Sequence, residues 1–202
     1  MDEIASSTEQ VILEAAKKIF VDKGKEGARM QEIANEAGIN KALLHYYFRS
    51  KQKLFEAVFL EAFDKFLPKI NLLLASEKTF LEIIEIFIEN YIDLILGNPH
   101  IPSFVLHELN QNPENLAQFM DNKIPHMPML FDKINLEIAA GNIKTINPKQ
   151  LMVNIIGLCI FPFVASPIIQ KLFFEGDESA YQQFLIDRKT EVYNFVLNSI
   201  KV

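Results

Sequence analysis

Residues 29–51 read RMQEIANEAGINKALLHYYFRSK, and they hold two short helical patterns separated by Gly-Ile-Asn. In the first pattern, small and apolar residues recur at steps of three and four, at Met30, Ile33, Ala34 and Ala37. This spacing places their side chains on one face of a helix. The stretch therefore predicts two short helices joined by a tight turn.

Gly38 and Asn40 define that turn. Glycine is the residue that adopts the left-handed backbone conformation at least cost, so we expect the first helix to end at Gly38. The Asn40 side chain can accept a hydrogen bond from a free amide in the first turn of the next helix. Leu44 and Phe48 are four residues apart and are predicted to face inward. The pattern predicts a helix-turn-helix, whose second helix can enter the major groove of DNA.

The outer side of this second helix carries the candidate base-reading side chains. At about 100° of rotation per residue, Ala42, His45 and Tyr46 point away from the inward residues, with Leu43 alongside. The polar tips of His45 and Tyr46 can donate or accept a hydrogen bond in the groove, and Ala42 or Leu43 can contact a thymine methyl group. Plain packing is the alternative interpretation of aromatic residues on so short a helix.

The same region resembles the signature of tetracycline-repressor-like (TetR) regulators over about a quarter of the chain. Two positions depart from the family pattern. Ala28 and Arg29 stand where the family usually has a capping Thr or Ser, and His45 stands where Tyr is commoner. The resemblance therefore leaves the operator preference open. The matching residues are Ile33-Ala34, Glu36 to Ala42, Leu44, Tyr47-Phe48, Ser50-Lys51 and Leu54-Phe55.

The resemblance also implies roles for individual residues. Gln31 occupies the place from which family members contact DNA with the preceding helix, and Lys41 starts the recognition helix. Tyr47 and Lys51 occupy phosphate-contacting positions, and the free amides of a helix N-terminus near Lys51 also attract phosphate. A solvated charged surface is the alternative for Lys51 and its neighbour Lys53. The family implies a dimeric regulator, commonly a repressor that a small molecule releases from DNA.

Composition favours an all-α fold. The chain has 202 residues, 50% of them hydrophobic, with 17 phenylalanines and few runs of alternating β-branched residues. We expect a three-helix DNA-binding head over residues 1–55, with its recognition motif at 29–48. Helix 4 should join this head to a helical effector-binding and dimerisation domain over 56–202, giving about nine helices in all.

The charge is distributed unevenly along the chain. Residues 1–55 carry nine Lys or Arg and eight Asp or Glu, a net charge of +1, whereas residues 56–202 carry eleven and eighteen, a net charge of -7. Within residues 29–53 the balance is five to two, or +3. This distribution suits a protein that presents one small basic surface to phosphates.

Other signals predict where helices begin and end. Ser7 or Thr8 can cap a first helix over 8–22. Pro68 should kink or end helix 4. A capping box at Thr79 should begin the first long helix of the body.

The effector pocket is predicted from prolines within the helical pattern of residues 113–140. Prolines remove backbone hydrogen bonds and open gaps, and a gap in an aromatic core can hold a small ligand. Core packing is the alternative for each candidate. The final helix, Asp177 to Ile200, has an apolar side suited to pairing, so we expect a homodimer through the last two long helices. The pocket candidates are Tyr91, Phe104, His107, Met120, Met127, Phe131 and Phe161.

Residues 151–169 contain no charged side chain and are nearly long enough to cross a bilayer. Pro162 and Pro167 interrupt them, and the backbone groups that prolines leave unpaired are costly in lipid. We therefore expect a helix in a bundle or a subunit interface and no membrane partner. The single Cys159 allows no intrachain disulfide, and the polar N-terminus does not read as a signal peptide, so a cytoplasmic protein is predicted.

The sequence gives no support to catalysis. Its four histidines are scattered, and it contains neither a phosphate-binding glycine loop nor a Gly-x-Ser-x-Gly elbow. We expect no catalytic residue, no metal site and no cofactor. The competing interpretation is a helical ligand-binding or scaffold protein that has lost operator recognition. The prediction is a DNA-binding regulator whose partners are an operator in double-stranded DNA and a small, largely apolar effector.

Overall fold

A computed structural model describes the backbone of residues 2–99, 101–111 and 113–202, and it describes the side chains in these ranges except at 2–7, 103, 104, 107, 108, 111, 115 and 119. The described residues form eleven helices and no strand. The all-α prediction is therefore confirmed. The helices are α1 Asp2–Gly27, α2 Met30–Glu36, α3 Lys41–Tyr47, α4 Lys51–Leu74, α5 Phe80–Leu96, α6 Ile101–Gln111, α7 Pro113–Lys123, α8 Met127–Ala139, α9 Pro148–Val164, α10 Ser166–Phe174 and α11 Glu178–Ile200.

The chain divides into two compact units. The head unit comprises Met1–Lys65 and Asn98–Phe104, and the body unit comprises Phe66–Gly97 and Val105–Val202. Helix α4 runs from one unit into the other without a break. The two units are defined by how the chain packs and not by what each unit does. The functions predicted for residues 1–55 and 56–202 therefore stay predictions.

The head unit is built from α1, α2, α3 and the first half of α4. Ring centroids of Phe20 in α1 and Phe55 in α4 lie 5.0 Å apart in an edge-to-face arrangement, which is a favourable geometry for aromatic pairs. The predicted cap of α1 at Ser7 or Thr8 is wrong, because the helix already runs through both residues. The side chains that are at most 2% exposed in this core are Ile12, Ala16, Phe20, Ala28, Ile33, Ala34, Leu44 and Leu54.

Pro68 does not end α4, which continues to Leu74. A proline inside a helix removes one backbone hydrogen bond. Beyond Pro68, the side chains of Ile70, Leu73 and Leu74 are all buried. Their burial offsets the loss of that hydrogen bond. Helix-end signals in the sequence do not indicate such burial.

Helix α5 is the centre of the body unit and contacts α8, α9 and α11. Its predicted capping box is confirmed, since the Thr79 hydroxyl accepts from the Glu82 amide at 3.3 Å and the Glu82 carboxylate accepts from the Thr79 amide at 2.8 Å. The buried stripe is centred on Ile84, Ile88 and Ile92. Phe87, Tyr91 and Leu94 lie at its edge and are half-buried.

The predicted pattern over residues 113–140 forms two helices, α7 and α8, separated near Pro125. Gly141 has a φ angle of 73° and its amide donates to the Ile138 carbonyl at 3.0 Å, which closes α8.

Helix α9 contains most of the long uncharged segment. Its buried side carries Leu151, Met152, Ile155, Cys159 and Pro162. In the described part of the chain no single helix is long and apolar enough to cross a membrane, whereas α9 and α10 together pass that test but bend by 76°.

Candidate nucleic-acid interface

The turn between α2 and α3 forms as the sequence predicts. Gly38 has a φ angle of 67°, and the Ile39 amide donates to the Ala34 carbonyl at 3.0 Å, which closes α2. The Asn40 side chain then accepts from the Leu43 amide at 2.8 Å. These two caps fix the direction in which α3 leaves the turn.

Two side chains fix the rotation of α3 about its own axis. Leu44 is 0% exposed and Phe48, just after the helix, is 7% exposed. On the other side, Ala42 and His45 are exposed, Leu43 is half-buried, and Tyr46 is 79% exposed. The structure therefore places Ala42, His45 and Tyr46 on the open side of α3, with the partly covered Leu43 beside them, as the sequence predicts.

Tyr46 does not project alone. Its ring lies edge-to-face against that of Tyr47, with centroids 5.4 Å apart and an interplanar angle of 89°. Tyr47 is half-buried, so its ring supports that of Tyr46 while Tyr46 stays accessible.

Gln31 on α2 and Lys41 at the start of α3 are both exposed. The Gln31 amide donates to the Asn35 side chain at 2.9 Å, which holds it along the outer surface of α2. Arg29, at the start of α2, makes no capping hydrogen bond with its side chain. The missing cap that the sequence indicates is thus a real feature of this helix.

The sequence that includes α3 contains basic residues and no acidic ones. Residues 37–55 contain four Lys or Arg and no Asp or Glu. On α1, by contrast, Lys18 pairs with Glu36 at 2.6 Å and Lys23 pairs with Glu32 at 3.2 Å. The hydrogen bond to Lys23 lowers the pKa of Glu32. Lys53 likewise pairs with Glu56 at 2.8 Å, so the positive charge near α3 lies on Lys41, Arg49 and Lys51.

Lys51 has a structural contact that the sequence does not reveal. Its Nζ donates to the carbonyl of Glu26 at 3.2 Å and to the carbonyl of Ala28 at 3.3 Å. These carbonyls lie at the junction of α1 and α2, where helical partners are missing. An ammonium has three donors, so Lys51 can hold this junction and still contact a phosphate.

The predicted effector-pocket residues whose side chains are described lie in different surroundings, and their role stays a prediction. Tyr91 is half-buried and stacks on Phe87 with centroids 5.5 Å apart, and burial raises its pKa. Met120, Met127 and Phe131 are half-buried, and the side chains of Phe104 and His107 fall outside the described residues. Phe161 is 61% exposed and lines a groove on the surface of α9 to α11 instead.

Cys159 is fully buried in α9, and burial raises the pKa of its thiol to about 12. Among the residues whose side chains the structure describes, no group of three His, Cys, Asp or Glu residues is arranged to hold a metal ion.

A helix-turn-helix whose second helix is anchored on one side and open on the other defines a DNA-binding regulator. Residues 12–58 match the family model described as bacterial regulatory proteins, tetR family. Over these residues the chain is similar to the regulators of that family.

Curated relatives agree with this assignment. The fatty acid metabolism regulator protein of Bacillus subtilis (strain 168) is 23% identical over 134 residues, which are 66% of this chain and 69% of that protein. The transcriptional repressor NicS of Pseudomonas putida is 36% identical over 90 residues, but that alignment covers 43% of this chain and 42% of NicS. The chain thus matches less than half of NicS.

Solved structures share the whole fold. A TetR/AcrR-family regulator from Thermobifida fusca has a TM-score of 0.66 and 17% identity, covering 92% of this chain and 96% of that one. FadR from Bacillus subtilis in complex with stearoyl-CoA has a TM-score of 0.64 and 18% identity, covering 93% and 96%. At these identities the likeness establishes the fold.

We predict that Lys51→Met destabilises the protein by about 1 kcal/mol, because two carbonyls of the α1–α2 junction lose their donor while the apolar stem is retained. Lys53→Met is the matched control, since its ion pair with Glu56 is on the surface and should contribute at most about 0.5 kcal/mol. Urea unfolding followed by far-UV circular dichroism measures both. Equal stability of the two variants would show that the Lys51 contacts contribute nothing.

Proposed function

We propose that this chain is a homodimeric, sequence-specific repressor that a small, largely apolar effector releases from its operator in the cytoplasm. The accessibility of the outer side of α3 is the observation that supports DNA recognition best. Tyr46 is 79% exposed, while Leu44 on the opposite side is fully buried. A short helix held in this way can enter the major groove without a change in its own packing.

The exposed residues divide into two proposed roles. His45 and Tyr46 offer polar atoms to base edges, and Ala42 and Leu43 offer apolar contacts to thymine methyl groups. Gln31, Lys41, Tyr47 and Lys51 contact the sugar-phosphate backbone and fix the register of the head on the duplex. That second group supplies most of the affinity, and the first group supplies the preference among sequences.

Dimerisation follows from the size of one head. A single seven-residue recognition helix contacts few base pairs, so a two-fold dimer reading two half-sites is required for a specific operator. The half-sites should lie one helical turn, about 34–36 Å, or a multiple of it apart. We assign the interface to α9 and α11, the last two long helices, whose exposed side includes Val153, Phe161 and Phe195.

The proposed effector binds the body unit and shifts the DNA-binding equilibrium. A ligand can do so only if it binds the released form more tightly than the DNA-bound form. The aromatic surroundings of Tyr91, with Phe66 at 6.0 Å and Phe87 at 5.5 Å between ring centroids, suit an apolar or aromatic molecule with a polar anchor. Fatty acyl thioesters are the first class to test, because FadR was solved with stearoyl-CoA.

The purified protein should bind the DNA upstream of its own gene more tightly than random DNA of the same length, measured by fluorescence anisotropy at several salt concentrations. Binding that is equally weak for both DNAs would favour the alternative, a helical ligand-binding or scaffold protein without operator recognition.

We predict that Tyr46→Ala lowers affinity for the upstream DNA by roughly 10- to 100-fold and changes random-DNA affinity little, because a base contact carries the sequence preference. Tyr46→Phe keeps the ring and removes the hydroxyl, so it measures how much a hydrogen bond from that hydroxyl contributes to affinity. Tyr47→Phe removes a hydroxyl assigned to the phosphate backbone, so it should weaken binding to both DNAs alike. An equal loss for both DNAs in Tyr46→Ala would refute base reading by this residue.

For the effector, we expect stearoyl-CoA to release the protein from upstream DNA, whereas free coenzyme A and free stearate should do so weakly or not at all. The thioester combines the apolar chain with a polar head, and each control ligand lacks one part. Titration against the preformed protein–DNA complex measures the release. Identical curves for stearoyl-CoA and coenzyme A would exclude the acyl chain as the recognised group.

A further inference from the structure

The recognition region, residues 29–53, contains two acidic residues beside five Lys or Arg, and both acids are paired with lysines from outside the region. Nζ of Lys23 lies 3.2 Å from Oε1 of Glu32, and Nζ of Lys18 lies 2.6 Å from Oε1 of Glu36. Both lysines belong to α1 and both acids belong to α2. Each negative charge of the recognition region therefore has a positive partner on the preceding helix.

The register of α2 explains why its acids face α1. Residues four apart lie on the same face of a helix. Gln31 and Asn35 form one such row, which is exposed and is joined by a hydrogen bond of 2.9 Å. Glu32 and Glu36 form the next row, turned by about 100°. Since α1 packs against α2, its lysines reach this second row. The two carboxylates thus lie directly beside the row that carries Gln31.

The Lys23–Glu32 pair is the less hydrated of the two. The side chain of Lys23 is 40% exposed, whereas that of Lys18 is 70% exposed. The hydrogen bond to Lys23 lowers the pKa of Glu32, so this carboxylate is negatively charged at neutral pH. Solvent and salt screen a less exposed charge less strongly. Of the two acids, Glu32 therefore has the stronger need of its partner.

The position of Glu32 makes its charge important for DNA binding. It follows Gln31, which we assigned to the sugar-phosphate backbone, and neighbouring Cα atoms are about 3.8 Å apart. A charge acts over about 8 Å at physiological ionic strength. A carboxylate without its lysine would therefore repel the phosphates beside Gln31. Paired with an ammonium group, it presents almost no net charge to them.

We propose that Lys23, and to a smaller extent Lys18, strengthen DNA binding by neutralising Glu32 and Glu36, and that they act through these carboxylates without contacting phosphate. This inference rests on the proposed DNA-binding function and adds two positioning residues on α1 to it. Because phosphates carry no sequence information, the two lysines raise the affinity for upstream DNA and random DNA alike.

A double-mutant cycle on the full-length protein tests this role by fluorescence anisotropy at several salt concentrations. Lys23→Met should weaken binding to both DNAs by about five- to tenfold at low salt, because it exposes the Glu32 carboxylate to phosphate. Lys23→Met combined with Glu32→Gln removes both charges of the pair. This double variant should bind within about twofold of wild type and keep the wild-type salt dependence.

Three single variants serve as comparisons. Lys23→Arg keeps the positive charge and should keep wild-type affinity. Lys18→Met should weaken binding by only about twofold, since this lysine is more exposed. Lys65→Met is the matched control, because Lys65 is 66% exposed and pairs with Glu61 on α4. At about 1.5 Å per residue, it lies about 21 Å further along α4 than Lys51 and should leave DNA affinity unchanged.

Glu32→Gln alone gives an independent measurement, which does not depend on the stability of the lysine variants. It leaves the Lys23 ammonium without its partner, so both DNAs should bind more tightly than to wild type. Far-UV circular dichroism checks that every variant is folded. Weaker binding by Glu32→Gln would show that the carboxylate favours the complex and would overturn this inference.

The remaining outcomes separate this inference from the proposed function. A double variant as weak as Lys23→Met, with a salt slope lower by about one, would assign Lys23 to a phosphate and overturn its action through Glu32. Wild-type affinity in Lys23→Met would overturn it as well. Both results leave DNA binding by the wild-type protein intact. Failure of the wild-type protein to bind either DNA would instead refute the proposed function.

Discussion

The burial of Leu44 is the interaction on which the head depends. Helix α3 has seven residues, and a helix this short is not stable by itself in water. Its existence and its orientation come from Leu44 and Phe48, which are buried, and from the caps at Gly38 and Asn40. These residues hold one side of α3 and its two ends. The opposite side of α3 is therefore accessible to another molecule.

Helix α4 gives the head its second constraint. Lys51, in its first turn, donates to two carbonyls at the junction of α1 and α2. The same helix continues without interruption past Pro68 into the body unit. We propose that α4 carries the effect of a bound ligand to the residues that hold the recognition motif.

Local patterns predicted the head well, and they predicted the outer surfaces of the body poorly. Gly38, Asn40 and Leu44 act through their nearest neighbours in sequence, so their roles follow from spacing alone. Ser7, Thr8 and Pro68 carry helix-end signals that longer-range packing overrides. At these residues tertiary contacts determine whether the helix continues.

The apolar residues of α9 and α11 show a different limit. Cys159 and Phe161 have similar hydrophobic character, yet the first is fully buried and the second is 61% exposed. Periodicity identifies apolar sides of a helix but does not distinguish one that faces the core from one that faces a partner. The effector-pocket candidates met the same limit, since Phe161 lies on the surface.

The most direct test of DNA reading by α3 is amide hydrogen exchange across residues 38–48, with and without upstream DNA. Exchange in α3 should slow when upstream DNA is added and change much less with random DNA at the same salt concentration. Exchange in α3 that is unaffected by upstream DNA, while the protein is shown to be bound, would contradict the assignment of this helix as the reading element.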